Sequence, residues 1–192
     1  MATRNGERLL TRDDWSRAAL NAMAEGGIAA VAVDRLASQL GTTRGSFYWH
    51  FKNRQDLLVA ALDMWEKDGI TDVESALRPL EDPEERLRTI FETAFKHPTT
   101  AEVEAALAAK AADPLVAPVL QRITTARLRL LRQIFADLGF DERECDVRAR
   151  IFHVAYLGHF QARRGTPEVY GDTAYLARLV EMLLSPRLPD TG

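Results

Sequence analysis

The stretch of sequence that decides the fold spans residues 33–54 and reads VDRLASQLGTTRGSFYWHFKNR. Its first part carries apolar residues at helical spacing, namely Val33, Leu36, Ala37 and Leu40. Gly41 then permits a sharp turn. The threonines that follow it can cap a second short helix, which carries Phe47, Tyr48 and Phe51. The stretch therefore predicts two short helices that meet at a tight turn.

These two helices have the physical pattern of a helix-turn-helix. The apolar residues of the first helix are buried, and Phe47 and Phe51 anchor the second helix against them. The outward face is then available to read DNA, because it carries short polar or aromatic groups near a helix N-terminus. These groups are Thr43, Arg44, Ser46, Tyr48 and Trp49. Gly45 lets the backbone approach a duplex closely.

Each candidate DNA-reading side chain also has a structural interpretation. Tyr48 and Trp49, taken alone, are more typical of aromatics that pack inside a helical bundle. Adjacent helical residues point about 100° apart, so at least one of the two must face outward. Arg44 alone is typical of a solvated charge. We interpret His50 as a partly buried hydrogen-bonding group or a phosphate contact, since no nucleophile or paired carboxylate accompanies it.

Composition and charge exclude several classes of protein. The chain has 192 residues, and its single cysteine, Cys145, argues against a disulfide scaffold. Its net charge of -3 argues against a protein that coats nucleic acid without regard to sequence. Residues 1–56 nevertheless hold eight basic against six acidic residues. No Cys/His cluster has metal-ligand spacing, and no cofactor motif is present. Without a signal core or a long apolar run, we expect a cytoplasmic protein with no membrane partner.

The rest of the chain predicts helices throughout, so the fold class is all-α. The predicted helix starts are Thr11 with Asp14, Asn53 with Asp56, Asp82 with Pro83, Asp113 with Pro114, and Asp141. Glycines end several of the helices. The apolar run at residues 28–33 could form a strand, but no partner strand is evident, and we interpret it as a connector.

The helix-turn-helix segment resembles the TetR family of bacterial transcriptional regulators. The resemblance is carried by Gly41-x3-Gly45-x-Phe47-Tyr48-Trp49-His50-Phe51-x2-Arg54-x2-Leu57, and more loosely by Ala19-Leu20 and Glu25-x-Gly27. It covers roughly residues 8 to 60. It implies a DNA-binding domain of three helices at residues 1–53 and a larger helical bundle at residues 54–192, which binds an effector and forms a homodimer.

The resemblance also implies roles for individual residues. The recognition-helix positions fall on Arg44, Gly45, Ser46, Tyr48 and His50. Arg54 occupies the position of the family's usual phosphate-binding lysine, and it keeps the charge while adding a fork of donors. Ala32 departs from the family pattern, because a Ser or Thr commonly caps the helix there.

Two stripes on the helix that starts at Asp141 suggest an interface and a ligand site. Small residues allow close helix approach, and we assign Val147, Ile151, Ala155, Gly158 and Ala162 to a dimer interface. As the family's four-helix interface implies, the last helix joins them through Leu176, Leu179, Val180 and Leu183. Bulkier residues are candidates for lining a cavity for an apolar or aromatic ligand: Trp65, Phe91, Phe95, Ile123, Phe152, Tyr156 and His159. Alternatively, both stripes are core of the single chain.

The sequence thus favours a DNA-binding regulator of transcription and not an enzyme. We expect a repressor that occupies a pseudo-palindromic operator on double-stranded DNA and is released by a small molecule. The alternatives are a helical enzyme, for which the chain offers no catalytic pair or phosphate loop, and a protein-interaction module without DNA binding.

Overall fold

A computed structural model describes residues 9–96, 98–108, 110–171 and 174–185, except the side chains of residues 72, 95, 96 and 98–100. Within these residues the chain is helical and forms no strand, as predicted. The N-terminal elements are α1 (Arg12–Gly26), a 3₁₀ turn (Ile28–Ala30), α2 (Val33–Gln39), α3 (Arg44–Tyr48) and α4 (Arg54–Lys67). The connector at residues 28–33 is therefore not a strand.

The second half of the chain is a larger set of helices. They are a π-helical segment (Asp68–Asp72), α5 (Val73–Leu77), α6 (Pro83–Lys96), α7 (Pro98–Ala108), α8 (Ala117–Asp137), α9 (Glu142–Gly165), α10 (Pro167–Tyr170) and α11 (Ala174–Leu184). Helix α8 begins later than predicted, because Asp113 and Pro114 lie in a turn that precedes it. None of the helices in the described ranges is long and apolar enough to cross a membrane.

Side-chain caps fix where the main helices begin, as the sequence predicts. The Thr11 hydroxyl accepts from the Asp14 amide at 3.2 Å, and the Asp14 carboxylate accepts from the Thr11 amide at 2.8 Å. Asn53 caps α4 and Asp141 caps α9, each through an acceptor 2.9 Å from the amide three residues later. Each cap satisfies an amide that the helix itself leaves without a partner.

One hydrophobic core joins the N-terminal helices to the rest of the chain. Its buried side chains include Trp15 of α1, Phe47 of α3 and Trp65 of α4, together with Leu107 of α7 and Ile123 of α8. Helix α4 therefore packs against residues on both sides of the predicted domain boundary at residues 53 and 54. A second core lies between α6, α8, α9 and α11.

Candidate nucleic-acid interface

The turn between α2 and α3 has the geometry that the sequence predicts. Gly41 has a φ of 65°, a left-handed conformation that other residues rarely adopt. Thr43 is the N-cap of α3, and its hydroxyl lies 3.4 Å from the amide of Ser46. The helix that follows is short and contains Arg44 through Tyr48. The turn thus places α3 on the surface with its N-terminus exposed.

Aromatic packing fixes α3 against α1. Phe47 is fully buried, with its ring centroid 5.4 Å from that of Trp15 and 5.5 Å from that of Phe51. The Arg12 guanidinium lies 4.1 Å from the centre of the Phe51 ring and donates to the His50 carbonyl at 2.6 Å. Because these contacts hold the inner side of α3, its outer side is presented in a fixed orientation.

The outer side of α3 carries two exposed aromatic residues. Tyr48 is 55% exposed and Trp49 is 88% exposed, so neither is a packed core aromatic. Both side chains leave a large part of their surface open to solvent, where a partner can reach it. The packing interpretation of these two residues is therefore wrong for this chain.

Arg44 lies beside Tyr48 in weak, exposed contacts. Its guanidinium is 3.3 Å from the Tyr48 hydroxyl and 3.4 Å from the Asp34 carboxylate. The Tyr48 hydroxyl first, and then Asp34, raise the pKa of Arg44 above its ordinary value, so the group is a cation at any physiological pH. Exposed ion pairs at such distances contribute little stability, and Arg44 can exchange these partners for a phosphate or a base edge at low cost.

The other predicted DNA-binding residues occupy the same end of the molecule. Thr43 and Gly45 are exposed, whereas Ser46 and His50 are half-buried. A Cβ atom at Gly45 would meet its nearest neighbour, the Thr43 hydroxyl, at an ordinary 3.5 Å. The protein itself therefore leaves room for a side chain at position 45.

Arg54 has a structural role that the sequence did not reveal. Its Nε donates to the Val31 carbonyl at 2.6 Å, and its Nη2 donates to the Ile28 carbonyl. The guanidinium thus ties the start of α4 to the connector that precedes α2. The side chain of Ala32 cannot cap α2, because it has no hydrogen-bonding group. The two hydrogen bonds from Arg54 hold the connector just before the start of α2.

The small-residue stripe of α9 faces outward, where a partner helix can reach it. Val147 and Ile151 are exposed, Ala155 and Ala162 are half-buried, and a Cβ at Gly158 would have no atom within 4 Å. Val154, which the sequence analysis did not include, is 66% exposed beside them.

Three of the α11 residues assigned to the interface lie elsewhere. Leu176, Val180 and Leu183 are fully buried within their own chain, where Val180 and Leu183 belong to the second core. Only Leu179 of the four is partly exposed. The exposed apolar side chains of α11 are instead Tyr175 and Met182. An apolar helix face looks the same in sequence whether its own chain or another covers it, which explains the error.

A cavity of about 490 Å³ lies among α1, the π-helical segment, α5, α6, α8 and α9. Of the predicted ligand-binding residues, Phe152 and Tyr156 line it. Trp65 and Ile123 instead pack in the first core, and Phe91 packs in the second. The His159 ring contacts Tyr175, with 2.7 Å between Nδ1 and the hydroxyl oxygen. The side chain of Phe95 lies outside the described residues.

The cavity wall includes polar residues that the sequence analysis missed. Arg17 and Asn21 reach it from α1, Asp68 from the π-helical segment, Arg127 from α8 and His153 from α9. Helical spacing could have indicated two of them. Arg127 lies four residues from both Ile123 and Leu131, and His153 lies four residues after Ala149, so each shares a face with buried residues.

Arg127 belongs to a buried polar cluster at the cavity. It forms an ion pair with Glu104 of α7, whose side chain is only 2% exposed. Burial opposes the charge of Arg127, but Glu104 and Tyr156 more than offset this and raise its pKa above the ordinary value. Burial raises the pKa of Tyr156 to about 12 and lowers the pKa of His153. At neutral pH the cluster therefore holds one cation and one anion.

Comparisons with known proteins agree with this fold. Residues 17–61 match the family described as "Bacterial regulatory proteins, tetR family". A TetR transcriptional regulator from Legionella pneumophila is 14% identical, with a TM-score of 0.76, and the alignment covers 95% of this chain and 97% of that one. A TetR-family regulator from Agrobacterium tumefaciens is 18% identical, with a TM-score of 0.74 and coverage of 90% and 95%.

A third similar structure was solved with a ligand. The transcriptional regulator FadR from Bacillus subtilis, in complex with stearoyl-CoA, is 19% identical with a TM-score of 0.68, and the alignment covers 92% of this chain and 99% of that one. At these identities the structures establish a shared fold. Residues 17–61, which contain the helix-turn-helix described above, match the tetR family, and the chain as a whole shares the fold of transcriptional regulators from that family.

Proposed function

We propose that the protein is a homodimeric repressor that occupies a pseudo-palindromic operator and leaves it when a small molecule binds. The observation that carries this proposal is the reading face of α3, where Arg44, Tyr48 and Trp49 are exposed on a helix that Phe47 and Phe51 fix from behind. A rigid, exposed helix with a basic and aromatic face is suited to enter the major groove. Arg44, Tyr48 and the Thr43 cap would contact base edges or phosphates.

Dimerisation supports sequence-specific binding, because two DNA-binding domains on one rigid body bind a two-fold site far better than one such domain alone. We assign the interface to the outward stripe of α9, with Ile151, Val154 and Gly158 at its centre. Tyr175 and Met182 of α11 would flank it. This assignment covers apolar side chains that are exposed in the single chain.

The cavity provides a route from ligand to DNA-binding head. Its wall contains Arg17 and Asn21 of α1, and Arg17 pairs with Asp68 of the π-helical segment at 2.5 Å. A ligand in the cavity therefore lies against the helix that packs on α3. A ligand changes the relative placement of the two DNA-binding domains only if it binds one placement more tightly than the other. The ligand and the DNA must then lower each other's affinity by the same factor. Residues 1–53 would act as the head and residues 54–192 as the sensor.

Selection of bound fragments from a genomic DNA library with the purified full-length protein tests this proposal. We expect enrichment of one sequence class with two-fold symmetry, and protection of both half-sites in footprinting. Recovered fragments without a common sequence would contradict DNA reading and favour a protein-interaction role. A protected site of a single half would contradict the dimeric arrangement.

A further inference from the structure

The cavity wall is apolar over most of its surface. The apolar side chains come from five elements and surround the space: Ile70, Val73, Ile90, Ala94, Ala126 and Phe152, with Leu130 and Leu131. The volume of about 490 Å³ lies within the range of sites for small organic molecules. A ligand that fills this space is therefore largely hydrocarbon.

Every charged group of the cavity wall has a partner of opposite charge. Arg17 pairs with Asp68 at 2.5 Å, and Glu74 lies 3.9 Å from Arg129. Arg127 pairs with Glu104, which lies behind the wall. The cavity thus offers no net charge to a ligand, although it contains two arginines.

The buried pair of Arg127 and Glu104 decides which charge a ligand can carry. A carboxylate placed on Arg127 would lie close to the Glu104 carboxylate, in surroundings where water screens little of the repulsion. His153 does not relieve this repulsion at neutral pH, because burial lowers its pKa and keeps the imidazole neutral. A cationic ligand would meet the Arg127 charge instead. A charged ligand of either sign is therefore disfavoured at this end of the cavity.

Arg127 also determines the polarity of the ligand's head group. A guanidinium has five N–H donors and no acceptor, and these are more donors than the contacts of Arg127 with Glu104 and Tyr156 use. A ligand that places an uncharged oxygen acceptor there gains a hydrogen bond without adding a second buried anion.

We infer that the effector of this protein is a neutral, mainly apolar molecule whose carbonyl oxygen accepts from Arg127, such as a ketone, ester or lactone. The inference rests on the proposed release function, and it specifies the chemical class of the ligand. A carboxylate of the same size is rejected because Glu104 already neutralises Arg127.

Two matched pairs of probes test the inference by calorimetry with the full-length protein at pH 8. The first pair is 2-nonanone and octanoate, which share a heptyl chain, and the second is acetophenone and benzoate. In each pair a methyl group of the ketone replaces a charged oxygen of the carboxylate. We expect the parent protein to bind at least one ketone at least about tenfold more tightly than its carboxylate. Equal or tighter binding of the carboxylates, or no binding of either ketone, overturns the inference.

Glu104→Gln changes the charge balance while keeping an oxygen acceptor for Arg127. We expect this variant to favour the carboxylate by about tenfold or more relative to the parent, because Arg127 then lacks its anion. Glu66→Gln is the matched control: Glu66 accepts from Arg122 at 2.7 Å outside the cavity wall, and its loss should leave the preference unchanged. An unchanged preference in folded Glu104→Gln overturns the inference. If that variant does not fold, the preference of the parent decides alone.

Operator binding, measured in the same samples, separates this inference from the proposed function. A ketone that binds without weakening the operator complex contradicts the release function and leaves the ligand class standing. Release of the operator by the carboxylates but not by the ketones contradicts the ligand class and leaves the release function standing.

Discussion

Replacing Arg54 with lysine separates a structural role of this side chain from a role in binding phosphate. The guanidinium donates from Nε to the Val31 carbonyl at 2.6 Å and from Nη2 to the Ile28 carbonyl, which requires a planar fork. Lysine keeps the positive charge but places a single ammonium group in its place. A phosphate contact tolerates this exchange, whereas the two-carbonyl bridge does not.

The expected loss of stability follows from these two hydrogen bonds. A hydrogen bond from a charged donor contributes about 1.5 to 3 kcal/mol, and the exposed setting of Arg54 places the loss of one bond at about 1 to 2 kcal/mol. In a chain of this size each kcal/mol lowers the melting temperature by about 2 to 4 °C, so Arg54→Lys should lower it by about 2 to 8 °C. Arg54→Ala should lose both bonds and about twice as much.

Thermal unfolding and operator binding across a salt series measure the two roles separately. Arg54→Lys should bind the operator with the salt slope of the parent, whereas Arg54→Ala should reduce the slope by about one unit for each head. Arg35→Lys is the control, because Arg35 pairs with Glu25 on the surface at 2.7 Å and should change the melting temperature little. If Arg54→Lys has the melting temperature of the parent but binds DNA poorly, the hydrogen bonds from Arg54 to the connector do not stabilise the fold.

Three further substitutions test the reading face, the interface and the buried histidine. Arg44→Ala should weaken operator binding by about tenfold to a hundredfold per half-site at unchanged melting temperature, whereas Arg129→Ala, a surface control of equal charge, should not. Gly158→Trp should give a folded monomer in analytical ultracentrifugation, since its open site tolerates the ring within one chain; a persistent dimer would move the interface. Burial lowers the pKa of His153, so the unfolded chain binds more protons below about pH 6.5 and stability falls as the pH drops from 7 to 5. In His153→Gln the melting temperature should therefore fall less between pH 7 and pH 5 than in the parent. An equal fall in both proteins would contradict the lowered pKa of His153.

The sequence predicts most of the helix starts and the helix-turn-helix, because local chemistry determines them, whereas the predicted start at Asp113 and Pro114 lies in the turn before α8. Thr11, Asn53 and Asp141 each cap an amide only three residues away, and such a contact forms wherever the helix itself lies. The turn at Gly41 requires a left-handed residue, and the spacing of Phe47 and Phe51 places both on the inner side of α3.

The cavity and the interface depend on how helices rotate against one another, which local spacing does not determine. Trp65 was expected at the cavity, yet α4 lies between α1 and α8 and buries it in the first core. Leu176 and Val180 are predicted at the interface, yet their own chain buries them. An apolar helix face does not indicate which chain covers it. The exposure of Val154 on α9 could be recognised only once the bundle was assembled.

The π-helical segment at Asp68–Asp72 has a consequence for how the lining of the cavity can change over evolution. An α-helix turns about 100° for each residue. The wide turn at Asp68–Asp72 accommodates one additional residue, so the side chains after it point about 100° away from where a continuous α-helix would direct them. Val73 and Glu74 face the cavity with this offset in place. Deletion of a single codon here, for example that of Gly69, would restore a continuous helix and present a different side of α5 to the cavity. The length of this segment therefore gives the gene a way to exchange part of the cavity wall in one step, without a point mutation at any residue of α5.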